Sequence, residues 1–560
     1  MIPRRFLVIP VLLCLAGTLF GLDFNSPGTP EELSRALVDE MTDEEALAQT
    51  FMLGWVGATP SPLIMDWIRD RNIGGVKIFG WNTDNTLQLA ETVGNLQEKA
   101  LEGRLGIPLF VATDQEGGWI RHVKGATSET PGNMAIGASG YPMDAYYSGY
   151  YIGRELALLG INMNFAPTVD LYTNRDSTLI GSRAFGDDPV KAGILGAAFV
   201  KGHRDAGVIA TAKHYPGHGD TDLDSHGVLP KIDASFDVLW NRELVPYRML
   251  SKEGIPAIMS GHLAFPMTPS GSTPASLSSW FLKDILRDKI GFTGLVITDD
   301  LMMNGATMSA GSLSRAAKEA LLAGNDIVML SKTPNMNDVI WRYLAASMET
   351  DAVFRECVRD AARRILKAKL EFLRGGTAVA YIPDLDKVRT GIPDPEGSAF
   401  FLDLAARSVT LVESPGDDSV FPLLPEDAGS VLLAGQFREF FSAGKAAFPD
   451  ALSYWYSPSQ GTAEMLRYAR QADTIIFCLS DEAGLRVLQN LRSLGKRVVV
   501  FSVLSPVYLD TVPWIDGAVA VYSYAAESFI AGFSAILGRF PAKGTIPFPL
   551  HEPRWTDPHG

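Results

Sequence analysis

A chain of 560 residues is too long for one ordinary core, and its make-up, 46% hydrophobic and 20% charged, is that of a soluble globular protein with more than one domain. A formal net charge of -15 excludes nucleic acid as a partner, because its phosphates would be repelled. Of three cysteines, Cys14 lies in an N-terminal apolar run while Cys357 and Cys478 stand far apart, so neither a disulfide framework nor a cysteine-built zinc site can be assembled.

The chain opens on Arg4 and Arg5, followed by an apolar run from Phe6 to about Phe20 with Gly17 and Gly21 near its end. This pattern predicts a signal peptide over residues 1–22 and an exported protein, periplasmic or extracellular. The run is short for a bilayer, so membrane association would arise only if this segment stayed uncleaved.

Beyond it, short apolar runs alternate with helical periodicity. The runs are 50–57, 74–80, 108–114, 161–170, 207–214, 256–262, 294–299 and 325–331. Continuous Val/Ile/Leu/Phe runs suit parallel strands buried on both faces. Helical stretches lie between them, one of them closing on Gly207 as a C-terminal cap. Eight β-then-α units predict a TIM-type (β/α)8 barrel over 26–375. Several runs stop at a polar residue: Asp114, Asp170, Lys213–His214, His262, Asp299 and Ser331. In a barrel such ends converge on the face where active sites are built. His203 and Arg204 read as a solvated helix end.

A Gly/Pro/charge-rich stretch, 376–400, predicts a linker. Apolar runs at 408–414, 430–436, 472–480, 496–504 and 516–523 then predict a smaller C-terminal doubly wound α/β domain over 401–555. It carries neither a GxGxxG nor a phosphate-binding loop, so nucleotide binding is not expected.

The densest chemistry lies in KHYPGHGDTDLDSH, Lys213 to His226, which overhangs the fifth strand. Pro216, Gly217 and Gly219 give it an irregular path. Asp224 beside His226 would raise and orient an imidazole, making an acid/base for neutral pH. A metal reading draws on His214, His218, His226, Asp220, Asp222 and Asp224. It lacks the HExxH helix spacing and the twelfth-position Glu of a calcium loop. Asp299, the last residue of the apolar run GLVITD, is a carboxylate delivered to the mouth; neighbouring Asp300 would point elsewhere. With a separate acid/base this is a double-displacement glycosidase layout, the two groups about 5–5.5 Å apart by analogy with carboxylate pairs. Glu482 in SDEAGL is set aside as acid/base, the histidine loop already filling that role, and Trp119 suits sugar stacking and packing equally.

DQEGG (114–118), GINMNFAPTVDL (160–171), IGSRAFGDDP (180–189), the histidine loop, GFTGLVITDDLMM (291–303) and AGNDIVML (323–330) together resemble the bacterial β-N-acetylhexosaminidase branch of glycoside hydrolase family 3. The resemblance implies a retaining exo-β-N-acetylglucosaminidase acting on cell-wall muropeptides or chitooligosaccharides. Asp299 would be its nucleophile and His226, paired with Asp224, its acid/base. Asp114, Arg183, Lys213 and His214 would hold the N-acetylglucosamine. Where the family carries an arginine four residues past the second glycine, this chain has His122, which leaves Arg121 one place early as the remaining sugar-binding candidate. No metal or organic cofactor is implied. Because a neutral imidazole does not repel phosphate, a phosphorylase of the same family is an alternative, as is a β-glucosidase or β-xylosidase. A catalytically dead sugar-binding barrel is the rival of another class.

Overall fold

The structure, a computed structural model, describes residues 21–83, 85–225, 227–413, 419–457 and 462–550. Nearly all of the stretch read as a signal peptide, and the acid/base candidate His226, therefore lie outside the described residues. No helix among the described residues is long and apolar enough to cross a membrane.

Eight parallel strands close into a barrel. They are β1 (Phe51–Gly54), β2 (Gly75–Lys77), β3 (Phe110–Thr113), β4 (Met163–Asn164), β5 (Ile209–Tyr215), β6 (Ala257–Ser260), β7 (Leu295–Asp300) and β8 (Ile327–Leu330). Alternation sorts their side chains. Phe110, Ala112, Met163, Phe165, Ile209, Ala257, Met259, Leu295, Ile297, Ile327 and Met329 fill the interior, while Leu53, Val76, Val111, Val296 and Val328 pack against the surrounding helices. Both faces are buried, which is why the strands read as unbroken apolar runs.

The fourth run is only partly a strand. Pro167 has no N–H to offer a ladder, and beyond Asn164 regular pairing gives way to single bonds: Thr211 N to Ala166 O at 2.9 Å and Val169 N to Lys213 O at 2.9 Å. The helix before β5, Pro189–Asp205, has Asp188 as N-cap and ends at Gly207, whose φ is +81°. His203 on that helix is buried rather than solvated, and Asn164 Nδ2 meets its Nε2 at 2.8 Å. Burial pushes its imidazole down to about 3.

The second domain is a six-stranded sheet formed by β9 (Thr410–Glu413), β10 (Val431–Gly435), β11 (Leu452–Trp455), β12 (Thr474–Leu479), β13 (Arg497–Ser502) and β14 (Gly517–Ala520). Its order is β9-β14-β13-β12-β10-β11, with β9 antiparallel to β14 and the rest parallel. Edge strand β11 was not legible in the sequence. It is largely exposed, so no buried run announces it.

The stretch read as a linker is helical over Leu385–Gly391 and Pro395–Ser408. Asp384 and Asp394 cap these helices, and Asp394 N donates to Glu155 Oε1 (2.8 Å) on barrel helix Pro142–Leu158. Proline, glycine and aspartate mark helix starts as readily as linkers, and here they mark starts. The chain finally returns to the barrel. Thr545 N donates to Ala138 O (3.0 Å), and Phe548 packs edge-on to Tyr172 with ring centroids 5.0 Å apart. An apolar cluster of Met134, Tyr172 and Ile180 from the barrel with Ala520, Tyr522 and Phe548 seals the two domains together.

Candidate active site

The inward register of the barrel strands predicts what crowns the mouth. Two residues past each inward side chain comes the next inward one. Gly75 leads to Lys77, Ala112 to Asp114, Thr211 to Lys213, and Ile297 to Asp299. The interior is mostly apolar below this layer and charged at it.

These charges are paired. Asp114 receives Lys77 Nζ at 2.5 Å on Oδ2 and Lys213 Nζ at 2.5 Å on Oδ1. Lys213 also reaches Glu116 Oε1 (2.6 Å), and Arg183 grips Glu116 with both Nε (3.0 Å) and Nη2 (2.7 Å). Burial opposes ionisation of Asp114, but Lys213 and Lys77 outweigh it and hold the carboxyl well below the usual range. Glu116 falls to about 2 against the same burial, through Arg183 and Lys213. Burial likewise opposes the charge on Lys213, and Asp114 and Glu116 restore it. His122 lies beside this set, its Nδ1 3.2 Å from Lys77 Nζ and 3.5 Å from Asp114 Oδ2. Burial and Lys77 push it down to about 4, so it is neutral at physiological pH.

Asp299 shares the layer. Burial opposes its charge, yet His214, His262, the Asp300 amide and Lys213 bring its carboxyl below the ordinary value. It is an anion held among cations and rings. Asp300 is spent on the backbone instead: its Oδ1 accepts from Met302 N (3.0 Å) and Ser331 N (3.1 Å). His262 is fully buried behind the strand, Nδ1 on Ser276 Oγ (2.7 Å) and Nε2 on Asp300 O (3.0 Å).

The histidine loop spends one imidazole and one backbone amide on Asp170. His214 Nδ1 is 2.7 Å from Asp170 Oδ2, and His218 N donates to Oδ1 at 2.7 Å. Arg242 fastens Asp220 at 2.6 Å. Asp224 heads a turn, its carbonyl accepting from Gly227 N (3.1 Å) and Val228 N (3.2 Å). The flanks of His226 are anchored beside β7: Ser225 O accepts from Gly305 N (3.2 Å) and Gly227 O from Asn304 Nδ2 (3.5 Å). Asn304 and Gly305 begin the helix that follows Asp299 by only a few residues.

Of the residues singled out in the sequence, Asp114, Arg183, Lys213, His214 and Asp299 thus assemble at the mouth. Arg121 does not join them. It sits on a short hairpin, donating to Thr127 O (2.7 Å) and pairing with Glu129 (3.1 Å). On that hairpin His122, one residue on, meets the charged cluster. Two members were missed, Lys77 and Glu116, while the sequence marks Asp170 only as a polar strand end. A lysine inside an otherwise apolar strand run was the available signal for Lys77.

A family model for the glycosyl hydrolase family 3 N-terminal domain matches residues 43–368. A beta-hexosaminidase A from Pseudoalteromonas piscicida is 28% identical over 562 aligned positions, covering 88% of this chain and 92% of that protein. A beta-N-acetylglucosaminidase/beta-glucosidase from Cellulomonas fimi is 31% identical across 71% of this chain and 69% of its own length. Among solved structures, a glycoside hydrolase family 3 beta-N-acetylglucosaminidase from Paenibacillus sp. str. FPU-7 superposes with a TM-score of 0.82 at 27% identity, over 91% of this chain and 99% of that one. With the match spanning more than half its length and the barrel mouth built as described, the chain belongs to glycoside hydrolase family 3 and is a glycoside hydrolase.

Proposed function

We propose that the protein is a retaining exo-β-N-acetylglucosaminidase in which Asp299 is the nucleophile. The observation that carries this reading is an ionised, inward-facing carboxylate in a ring of Lys77, Asp114, Lys213 and His214, with the flanks of the histidine segment bonded to the residues just after it. Asp299 attacks the anomeric carbon as the glycosidic C–O bond breaks. His226, oriented by Asp224, gives its proton to the leaving oxygen. A glycosyl ester of Asp299 results; water then attacks the same carbon, His226 takes its proton, and the ester bond breaks to release the sugar. Asp114, Lys213, His214 and Arg183 grip sugar hydroxyls and the acetamido group through directional, charge-assisted bonds. The chemistry calls for no metal, so turnover should survive exhaustive chelation. Residues 1–22 would carry the chain out of the cytoplasm.

The test is an aryl N-acetylglucosaminide with an aryl glucoside and an aryl xyloside as controls, followed by trapping with a fluorinated donor sugar and mapping of the labelled peptide. We expect the acetamido substrate to be preferred, the label on Asp299, and loss of turnover in Asp299→Ala. A label on another residue, or full turnover in that variant, refutes the assignment; rates unaffected by removing the acetamido group refute the substrate.

A further inference from the structure

Beside the mouth lies a cleft of about 530 Å3 between the barrel and the second domain, within the roughly 300–1,000 Å3 of small-molecule sites. Its lining residues neighbour the proposed sugar-binding residues in sequence. Trp119 follows Glu116 by three positions, Ser182 directly precedes Arg183, and Tyr172 comes two after Asp170; all three line it. The opposite wall comes from the second domain, with Asp481, Glu482 and Tyr508. Trp119 offers an aromatic face for a sugar ring. Ser177, fully buried at the border, has an Oγ with no hydrogen-bond partner.

The charge of this cleft is one-sided. Asp176, Asp481 and Glu482 line it, against a single lining cation, Arg175. Arg175 is already engaged by Asp187 (2.9 Å) and lies over the Phe548 ring at 4.3 Å. Glu482 is partly offset by Arg486 (2.7 Å), an exposed pair that screens weakly. Asp481 caps its helix at the rim, accepting from Gly484 N (2.7 Å). Tyr508 on the same wall registers the field: burial first, then Asp481 and Glu482, push its hydroxyl up.

We propose that this cleft holds the sugar beyond the scissile bond, and that its carboxylates select a neutral chitooligosaccharide over a muramyl acceptor carrying a free carboxylate. The proposal rests on the glycosidase reading above and deepens it. A neutral second sugar stacks and hydrogen-bonds without penalty, whereas an anionic one meets like charges on the cleft wall.

The test compares N-acetylglucosaminyl-β-1,4-N-acetylmuramic acid with its lactyl methyl ester and with chitobiose, using aryl N-acetylglucosaminide as a substrate that does not fill the cleft with a second sugar. At low ionic strength kcat/KM for the free acid should be about tenfold below that for the ester. The gap should close to about twofold or less in high salt, where screening is strong, and in the Asp481→Asn/Glu482→Gln double variant, whose aryl turnover should match the parent and so report its folding. Equal rates for acid and ester at low salt, with aryl turnover intact, overturn this inference alone. So does a gap that persists after both charges are removed. No turnover of the aryl substrate by the parent protein overturns the reading beneath it.

Discussion

Replacing Lys213 with methionine is the sharpest test of the charged layer. Its side chain is 2% exposed and its ammonium sits 2.5 Å from Asp114 and 2.6 Å from Glu116, so methionine fills the space but deletes the charge between two carboxylates. Breaking a buried pair costs about 3–5 kcal/mol. Asp114 keeps Lys77 and Glu116 keeps Arg183, which places this variant near the lower end, about 3 kcal/mol at pH 7. The pH dependence follows from the sign of the shifts. Both carboxyls are depressed in the native protein, so the stability they confer is present above the ordinary carboxylate pKa and is lost as pH falls toward their depressed values, about 2 for Glu116. Without Lys213 both carboxyls rise. The variant's deficit is therefore largest at neutral pH and shrinks toward pH 4. Urea unfolding of both proteins at pH 7 and pH 4.5, followed by fluorescence and circular dichroism together, measures this. A loss under about 1 kcal/mol, or one equal at the two pH values, would refute the view that these charges stabilise one another.

Three further outcomes follow from the same structure. Arg121→Ala should leave aryl-glycoside kcat/KM within about threefold of the parent, since its bonds go to Thr127 and Glu129; a loss of a hundredfold would place it in the site after all. Gly219→Ala should disable the enzyme and lower its thermal midpoint, because an added Cβ would lie 1.6 Å from Leu171 O, a backbone atom that cannot yield locally; unchanged activity and melting would show that the histidine loop tolerates displacement. Burial raises Glu243 to about 7 against Arg242, so its proton stabilises the fold below the ordinary Glu pKa and that benefit fades as pH rises through 7. Glu243→Gln should therefore gain on the parent from pH 5 to pH 8, on the order of 2–3 kcal/mol, read by chemical denaturation at both values; a parallel pH course for the two proteins would contradict the assignment.

Much of this was written in strand ends. The barrel was legible because strands buried on both faces carry uninterrupted apolar runs, and Asp299 because it closes one of them. What escaped was set by neighbours rather than by local pattern. Glu116 looks like one more loop carboxylate until Arg183, 67 positions away, closes on it. Asp170 gathers His214 and His218 only once two adjacent strands bring them together. Arg121 was chosen over His122 by residue type, yet the hairpin's alternation turns one toward the cluster and the other away. The helices inside the stretch read as a linker escaped for a related reason: capping residues and loop residues are the same few amino acids.

The returning C-terminal segment has a consequence for how the protein moves. Phe548, 4% exposed, is wedged between Tyr172 and Arg175 of the barrel, while Pro547 O takes the Asp187 amide (3.3 Å) and Ser523 Oγ reaches Thr130 O (3.3 Å). The lobes are thereby clasped like two halves of a locket whose catch is made of the chain itself. Swinging them apart would extract an aromatic ring and strip an apolar seam, so opening costs the burial of both. A barrel expressed without its clasp would bare that seam and emerge with a sticky flank.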